Sequence, residues 1–325
     1  MKQNLTGVIA ISNPLSGKNK HGGFEVFQKQ ISQYQNIDHY ITHNEFEIHQ
    51  ALVKCKQRYI RIIVINGGDG TLQCVLSFLK QENNLDYQPE LVLLQAGTTS
   101  MAYGDVGCKS SLPEALSALV AYANGKENRF KKLVRPVIKM MMPATQQSSC
   151  GLFFGAGAIY NGILFCRQRL HSKGVRGEFG ASLAMLRFII DWLTFKRLTT
   201  AVRADVTLEN QVRDEGTYNI ITATSLKRLL AGVYPFWAPI QQADAFALTL
   251  IKNNPPRPMM NFLRILKGQM PHGNKAEEHY QSYSVCDAKL DIYGGFTLDG
   301  ELFGEPNKNT RVHLQSAGLV TFLSL

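Results

Sequence analysis

The stretch that decides the fold runs from Arg61 to Thr71 and reads RIIVINGGDGT. Its first half, residues 61–65, is uniformly β-branched after the arginine, which predicts a strand of a parallel sheet that is covered on both faces. Its second half is the pentad Gly67-Gly68-Asp69-Gly70-Thr71, followed by an apolar segment over residues 71–79 that predicts a helix. A glycine-rich turn between a buried strand and a helix is typical of sites that bind an anionic group.

Short apolar runs and amphipathic segments alternate on both sides of this stretch. The predicted strands are residues 7–11, 38–42, 61–65 and 90–95, and the predicted helices are residues 24–34, 45–55, 71–79 and 112–122. Such alternation predicts βαβ units around a parallel sheet. We therefore expect residues 1–134 to form a three-layer α/β domain.

The pattern changes near Arg135 to short alternating segments separated by turn residues. These segments are residues 137–142, 151–154, 201–208, 218–223, 246–251, 288–292 and 312–314. They predict a second domain over residues 135–325, an antiparallel β-sandwich with a helical insertion near residues 180–195. Residues 319–325 predict one more strand, and the sequence leaves open whether it returns to the first domain.

Composition and charge limit the class of partner. The chain has 325 residues, 45% of them hydrophobic, and a formal net charge of +10, which fits nucleic acid, an anionic membrane surface or a polyphosphate ligand. Zinc-finger spacing, an RNP-like motif and an arginine-rich tail are all missing, so we expect no nucleic acid. Scattered cysteines, no signal-like N-terminus and no apolar run of membrane-spanning length predict a cytoplasmic protein that touches membranes peripherally.

Three predicted strands of the first domain run into loops that contain glycine. These loops are Asn13-Pro14-Leu15-Ser16-Gly17-Lys18, the pentad, and Gly97-Thr98-Thr99-Ser100. Carboxyl ends of parallel strands meet at one edge of a sheet, so we expect the loops to converge there. Backbone N–H groups, with glycines at positive φ, the hydroxyls of Ser16, Thr71 and Thr98, and the charge of Lys18 would bind phosphate. Asp69 would be repelled by that anion unless Mg²⁺ lay between them, so the sequence also predicts Mg²⁺.

Three motifs together resemble the diacylglycerol kinase catalytic-domain family, which includes bacterial lipid kinases, sphingosine kinases and ceramide kinases. They are Asn13–Gly17, the pentad, and Asp299-Gly300-Glu301. NAD kinases share the pentad and a similar fold, whereas the late Asp-Gly-Glu favours the lipid kinases. The resemblance implies a nucleotide-binding α/β domain and a β-sandwich lipid-substrate domain, with the active site in the interdomain cleft.

The resemblance also implies site residues. Asp299 would be the general base that accepts the proton of the lipid hydroxyl, and Glu301 would contact nucleotide or metal. Asp244 would bind a structural Mg²⁺ with the backbone carbonyls of Gln241 and Phe246, and Asp69 would face the metal of the nucleotide. Together with the loop residues, the expected nucleotide-binding set is Asn13, Ser16, Gly17, Lys18, Thr42, Gly67, Gly68, Asp69, Gly70, Thr71, Leu72, Gln73, Gly97, Thr98 and Glu301.

Ordinary structural explanations compete with two of these assignments. Leu298-Asp299-Gly300-Glu301 is also typical of a plain hairpin turn. The segment around Asp244 is equally typical of a surface turn, and Ala245 stands where the family has glycine.

Departures from the family pattern reduce the number of carboxylates expected near the metal. The third loop reads Gly-Thr-Thr-Ser-Met over residues 97–101 in place of Gly-Thr-Gly-Asn-Asp. Gln73-Cys74 replaces Asn-Glu, and the segment 134–137 carries Arg135 but no aspartate. The phosphate loops and the proposed base remain, which indicates an active but divergent kinase.

The sequence thus predicts an ATP- and Mg²⁺-dependent lipid kinase, with diacylglycerol, converted to phosphatidic acid, as the first acceptor to consider. A sphingoid base or another lipid, an NAD kinase and a catalytically inactive relative are the alternatives. The basic and aromatic segment 167–197 would either contact an anionic membrane surface or pack its apolar stripe inside the protein. The sequence does not give the oligomeric state.

Overall fold

The computed structural model describes residues 6–97, 101–126, 129–173, 201–209, 213–229 and 233–325. The chain divides into two compact units, the first comprising residues 1–135 and 318–325 and the second residues 136–317. Among the helices that the structure describes, none combines the length and the hydropathy of a membrane span.

The elements are numbered in chain order. The strands are β1 (Thr6–Ser12), β2 (Ile37–Ile41), β3 (Ile60–Asn66), β4 (Glu90–Leu93), β5 (Lys131–Met142), β6 (Gln147–Gly151), β7 (Phe153–Gly157), β8 (Val202–Leu208), β9 (Arg213–Thr224), β10 (Phe246–Lys252), β11 (Tyr280–Val285), β12 (Asp287–Tyr293), β13 (Phe296–Leu298), β14 (Glu301–Phe303) and β15 (Asn309–Ser324). The helices are α1 (Gly23–Ile31), α2 (Glu45–Gln57), α3 (Asp69–Leu79), α4 (Met101–Val106), α5 (Leu112–Ala123), α6 (Ala158–Lys173), α7 (Pro258–Ile265) and α8 (Ala276–His279).

The first unit is built on a parallel sheet in the order β15-β4-β3-β1-β2. Strand β15 joins this sheet through its carboxyl-terminal end, where Thr321 and Phe322 pair in parallel with Glu90 and Leu91. The last residues of the chain therefore complete the sheet that the first residues begin.

Helices cover both faces of this sheet. Val8 and Ala10, which stand beside Ile62 and Val64, belong to a buried cluster with residues of α1 and α5. The alternate positions, such as Ile63 and Ile65, are also fully buried, and α2 contacts β1, β3 and α3. Burial on both faces is what the β-branched run predicted, and the three-layer α/β arrangement is confirmed.

The second unit is antiparallel. Its strands follow the order β14-β13-β7-β9-β8-β12-β15, while β10 pairs with β9 and β11, and β6 pairs with β5. The long strand β9 pairs with β8 along its first half and with β7 and β10 along its second half. Phe154, Leu248, Leu290 and Phe296 are buried in the core of this unit. The predicted change from a parallel to an antiparallel sheet is confirmed.

The second unit differs from the predictions at the break between β6 and β7 and in its helices. The segment predicted as a strand over residues 151–154 is interrupted at Leu152, because β6 ends at Gly151 and β7 begins at Phe153. The N–H groups of Leu152 and Phe153 donate to the carboxylate of Asp299 instead. Sequence analysis missed α6, which begins directly after Gly157 without a polar N-cap residue, and the helix predicted near residues 180–195 lies outside the described residues.

Candidate active site

Helix α3 begins inside the glycine pentad. Gly68, the residue before the first turn, has φ −87° and ψ −173°, so it does not adopt the expected positive φ. Gly67 is required for a steric reason, since a Cβ at this position would lie 2.5 Å from the Cβ and Oγ1 atoms of Thr71. Glycine here lets the end of β3 approach the first turn of α3 closely.

The loop after β1 is hydrogen-bonded to the loops after β3 and β4. The Oγ atom of Ser16 accepts a hydrogen bond from the N–H of Gly68 at 3.2 Å. The N–H of Lys18 donates to the carbonyl of Ala96 at 2.8 Å. The three loops therefore lie together at the carboxyl edge of the parallel sheet, and Ser16 fixes the residue that precedes α3.

Buried polar residues that sequence analysis missed hold the ends of the strands together. Asn19 and Asn66 are each 4% exposed. The Nδ2 of Asn19 donates to the carbonyls of Asn13 at 2.8 Å and Asn66 at 3.2 Å, and the Nδ2 of Asn66 donates to Ser12 Oγ at 3.2 Å. A polar residue at the end of an otherwise apolar strand, as at Ser12 and Asn66, was the available signal, because buried polar groups need partners.

Thr42 joins the end of β2 to the end of β1. It is 2% exposed, and both its N–H and its Oγ1 donate to the carbonyl of Ser12, at 2.8 and 3.1 Å. Thr42 thus positions the loop region through its hydroxyl rather than presenting that hydroxyl to solvent. On the same strand, the Nε2 of His39 lies 2.8 Å from Ser12 Oγ, and burial lowers the pKa of His39, which leaves the imidazole neutral at pH 7.

Asp69, Leu72 and Gln73, in the first turns of helix α3, have different surroundings. The Oδ2 of Asp69 accepts a hydrogen bond from the N–H of Met101, the first residue of α4, at 3.2 Å. The side chain of Leu72 is 1% exposed, and its N–H donates to the carbonyl of Gly68 at 3.2 Å, so both of its groups are used within the protein. Gln73 is half-buried. Thr98, which we expected to contact nucleotide, lies outside the described residues.

Asp105 in α4 forms a buried ion pair with Arg135 of β5. Their side chains are 4% and 6% exposed, and the guanidinium is bidentate, with Nε–Oδ2 at 2.8 Å and Nη2–Oδ1 at 3.2 Å. Arg135, in the segment 134–137 that carries no aspartate, thus pairs with the acid that lies nearest the altered third loop in sequence.

Asp299 lies in a two-residue hairpin turn of the second unit. Leu298 and Glu301 close the turn as a pair, and Asp299 and Gly300 have φ +48° and +88°, as a type I′ turn requires. The Asp299 carboxylate accepts hydrogen bonds from the N–H of Phe153 at 2.8 Å and of Leu152 at 3.1 Å. The hairpin interpretation is thus correct, and the turn also presents a carboxylate whose orientation two amides fix.

Glu301 is held by Arg167 of α6, a residue whose role at this turn sequence analysis missed. The Nη2 of Arg167 lies 3.2 Å from the Glu301 carboxylate and 2.8 Å from the carbonyl of Gly300. Both side chains are about half exposed, at 46% and 50%. Residues 174–197, the rest of the segment for which membrane contact was considered, lie outside the described residues.

Residues 7–131 match the model of the diacylglycerol kinase catalytic domain. This part of the chain is therefore similar to the diacylglycerol kinase catalytic domain. The family resemblance expected from the three motifs is confirmed, and the matched range contains the pentad and both companion loops.

Solved structures show the same fold along the whole chain. A crystal structure of an inferred diacylglycerol kinase of Bacillus anthracis strain Sterne aligns with a TM-score of 0.65 at 14% identity, covering 99% of this chain and 98% of that one. A structure described as a diacylglycerol kinase of the same strain aligns with a TM-score of 0.59 at 14% identity, covering 99% and 97%. Among curated proteins, no sequence matches this chain.

The second metal site that the diacylglycerol kinase family implies, at Asp244, has neighbours that compete for its carboxylate. The thiol of Cys286 lies 3.8 Å from Asp244 Oδ1, and burial together with Asp244 and Glu209 raises the pKa of Cys286 to about 11. The N–H of Gln241 donates to Ser284 Oγ at 3.1 Å, and Phe246 is fully buried. In the part of the chain that the structure describes, no three His, Cys, Asp or Glu side chains cluster as a metal site. The metal roles of Asp244, Gln241 and Phe246 stay predictions.

Proposed function

We propose that this chain is an ATP-dependent lipid kinase that transfers the γ-phosphoryl group to a lipid hydroxyl, with diacylglycerol as the first acceptor to test. One observation carries the proposal. In the domain that matches the diacylglycerol kinase catalytic model, Ser16 fixes the glycine turn at the start of α3, and the β4 loop is bonded beside it. Phosphoryl transfer depends mainly on positioning and on neutralising charge, and loops held together in this way would position the phosphates.

The phosphates of ATP would bind at the start of α3. The first N–H groups of a helix have no partner within the helix, and the helix dipole adds partial positive charge there. In this chain those groups come from residues 69–71, and α3 is 11 residues long. Lys18 would add a full positive charge from the neighbouring loop. Ser16, Thr42 and Asn13 would act mainly by holding the loops in place.

Asp69 is the residue that fits a magnesium ion accompanying ATP. Mg²⁺ is usually bound through one or two carboxylates together with phosphate oxygens, so a single carboxylate in the pentad suffices. The hydrogen bond from the N–H of Met101 orients the Asp69 carboxylate at the start of α3. When bound, the ion would neutralise charge on the transferring phosphoryl group.

Asp299 is the proposed general base for the lipid hydroxyl. A hydroxyl is a weak nucleophile until a carboxylate accepts its proton. The amides of Leu152 and Phe153 hold the Asp299 carboxylate in one orientation, which a proton acceptor needs. Glu301 and its partner Arg167 lie at the same turn as Asp299. A role for Glu301 in nucleotide or metal binding stays a prediction.

The test is a phosphorylation assay with Mg·ATP and pooled acceptors. Purified protein is incubated with diacylglycerol, sphingoid bases, other long-chain alcohols and NAD, and mass spectrometry identifies any acceptor that gains a phosphoryl group. We expect a phosphorylated lipid. Phosphorylation of NAD alone would establish the NAD-kinase alternative, and ATP binding without any product would establish an inactive relative; both results overturn the proposal.

A matched pair of variants tests the assignment of Asp69. Asp69→Ala should reduce turnover at limiting Mg·ATP, whereas Asp86→Ala, an exposed aspartate of the same unit that pairs with Lys56, should not. Equal turnover in both variants would remove Asp69 from the site.

A further inference from the structure

Four large apolar side chains are exposed in and just after helix α7 of the second unit. Met259, Met260, Leu263 and Met270 are 49%, 47%, 55% and 50% exposed, and we call them the methionine patch. Single exposed apolar residues are common on protein surfaces, but a cluster within a short segment indicates an interaction surface.

The packing of α7 fixes the direction in which the patch faces. Asn261 and Ile265, on the opposite side of the helix, are 0% and 3% exposed. The side chain of Asn261 accepts a hydrogen bond from the N–H of His272 at 2.8 Å and donates to the carbonyl of Pro256 at 3.0 Å. Rotating α7 to bury the patch would break these buried hydrogen bonds, which is costly.

Met270 belongs to the same surface although it follows the helix. The Nε of Arg264 donates to the carbonyl of Met270 at 2.9 Å, which holds this loop residue against the last turn of α7. The helix and the loop after it thus present one apolar surface.

Positively charged residues flank the methionine patch in the sequence. Residues 253–275 contain four arginines and lysines and no aspartate or glutamate. Three of the four, Arg257, Lys267 and Lys275, are exposed. The nearest acids that follow in sequence are Glu277 and Glu278 in α8. A short helix with an exposed apolar side and flanking cations is typical of segments that lie at the surface of an anionic bilayer.

We propose that the methionine patch docks on an anionic lipid bilayer, with its apolar side chains entering the interface and Arg257, Lys267 and Lys275 contacting lipid phosphates. Its use in delivering a lipid acceptor rests on the proposed kinase function, but docking itself needs no catalysis. Charge argues for this partner over a second copy of the chain, because a symmetric contact through the patch would place cations against cations.

The experiment is co-sedimentation of the full chain with vesicles in the absence of ATP. Vesicles of phosphatidylcholine mixed with phosphatidylglycerol are compared with phosphatidylcholine alone, at low and high salt. We expect binding to the anionic vesicles that weakens with salt. The double variant Met260→Ser/Leu263→Ser should bind about tenfold more weakly, and the triple variant Arg257→Gln/Lys267→Gln/Lys275→Gln about a hundredfold more weakly.

Phe46→Ser is the matched control. Phe46 is 69% exposed on α2 and lies between Glu45 and Glu47. The substitution therefore removes an exposed apolar side chain whose sequence neighbours are acidic. Its binding should equal that of the unaltered chain. Thermal unfolding of each variant checks that the fold is kept.

Several results would overturn the inference. These are no binding of the unaltered chain, equal binding by the patch variants, an equal loss in Phe46→Ser, or a dimer in solution that Met260→Ser/Leu263→Ser dissociates. Phosphorylation of a short-chain, dispersed lipid separates this inference from the proposed function. Docking can fail while that activity persists. A chain that docks but phosphorylates no lipid would refute the proposed kinase function and leave the proposed docking surface standing.

Discussion

The same dipeptide, Asp-Gly, carries the predicted metal ligand Asp69 and the predicted base Asp299, and it has a different structure in each place. Asp69-Gly70 forms the first turn of α3, whereas Asp299-Gly300 forms a hairpin turn in which both residues have positive φ. A helix-forming, apolar segment follows the first, and short strands flank the second. The dipeptide permits either conformation, and its surroundings decide between them.

The carboxylates of the two dipeptides are also held differently. Asp69 accepts from the N–H of Met101, 32 residues away in sequence. Asp299 accepts from the N–H groups of Leu152 and Phe153, about 147 residues away, at the break between β6 and β7. The first carboxylate is attached to a short helix of its own unit, and the second joins a hairpin to a strand junction.

The largest expected effect comes from Asp299→Asn. Asparagine tolerates positive φ, so the hairpin should persist while the proton acceptor is lost. Turnover should fall by about 10²–10⁴-fold, measured as initial rates on the acceptor that the pooled assay identifies. The control is Asp291→Asn, at a partly exposed aspartate of β12 in the same unit. Unchanged turnover in Asp299→Asn would leave Asp299 with a structural role alone.

A third carboxylate, Asp105, extends the comparison because it pairs with the side chain of Arg135. Arg135→Met should remove the guanidinium partner of this buried carboxylate, at a cost of about 3–5 kcal/mol in the free energy of unfolding. Chemical denaturation measures the change. Arg311→Met breaks the exposed pair with Asp291 and should cost less than about 1 kcal/mol. Similar losses in the two variants would show that burial does not determine how much each ion pair contributes to the free energy of unfolding.

Substituting alanine in both dipeptides tests the comparison most directly. Gly300→Ala places a side chain at φ +88° and should lower stability by about 1–2 kcal/mol. Gly70→Ala, at an exposed helical position, should leave stability unchanged or raise it by up to about 1 kcal/mol. Thermal unfolding of both variants gives the signs. A loss of equal size at Gly70 would mean that its first-turn conformation, too, requires glycine.

The elements that depend on short stretches of sequence, namely the parallel strands and the glycine-containing loops, could be predicted from the sequence. The parallel strands were found because β3 is a run of β-branched residues, and the phosphate loops because glycines follow those strands. The positions of Asn19, Arg135 and Arg167 depend on partners distant in sequence, such as the carbonyl of Asn66, Asp105 and Glu301. For Asp299, pattern alone supported a turn and the family resemblance supported a base, and neither indicated the bonds to Leu152 and Phe153.

The smallest expected effect concerns His39, which contacts the strand-end network beside the first dipeptide. Burial lowers its pKa in the folded protein, so between that value and the unfolded value, near 6.5, the unfolded chain binds more protons. Its stabilising contribution is therefore complete above pH 6.5 and is lost as the pH falls through the lower, folded pKa. His39→Gln should unfold with a shallower dependence on pH between 8 and 5 in urea titrations. If this variant keeps the slope of the unaltered chain, protonation of His39 does not account for the loss of stability in acid.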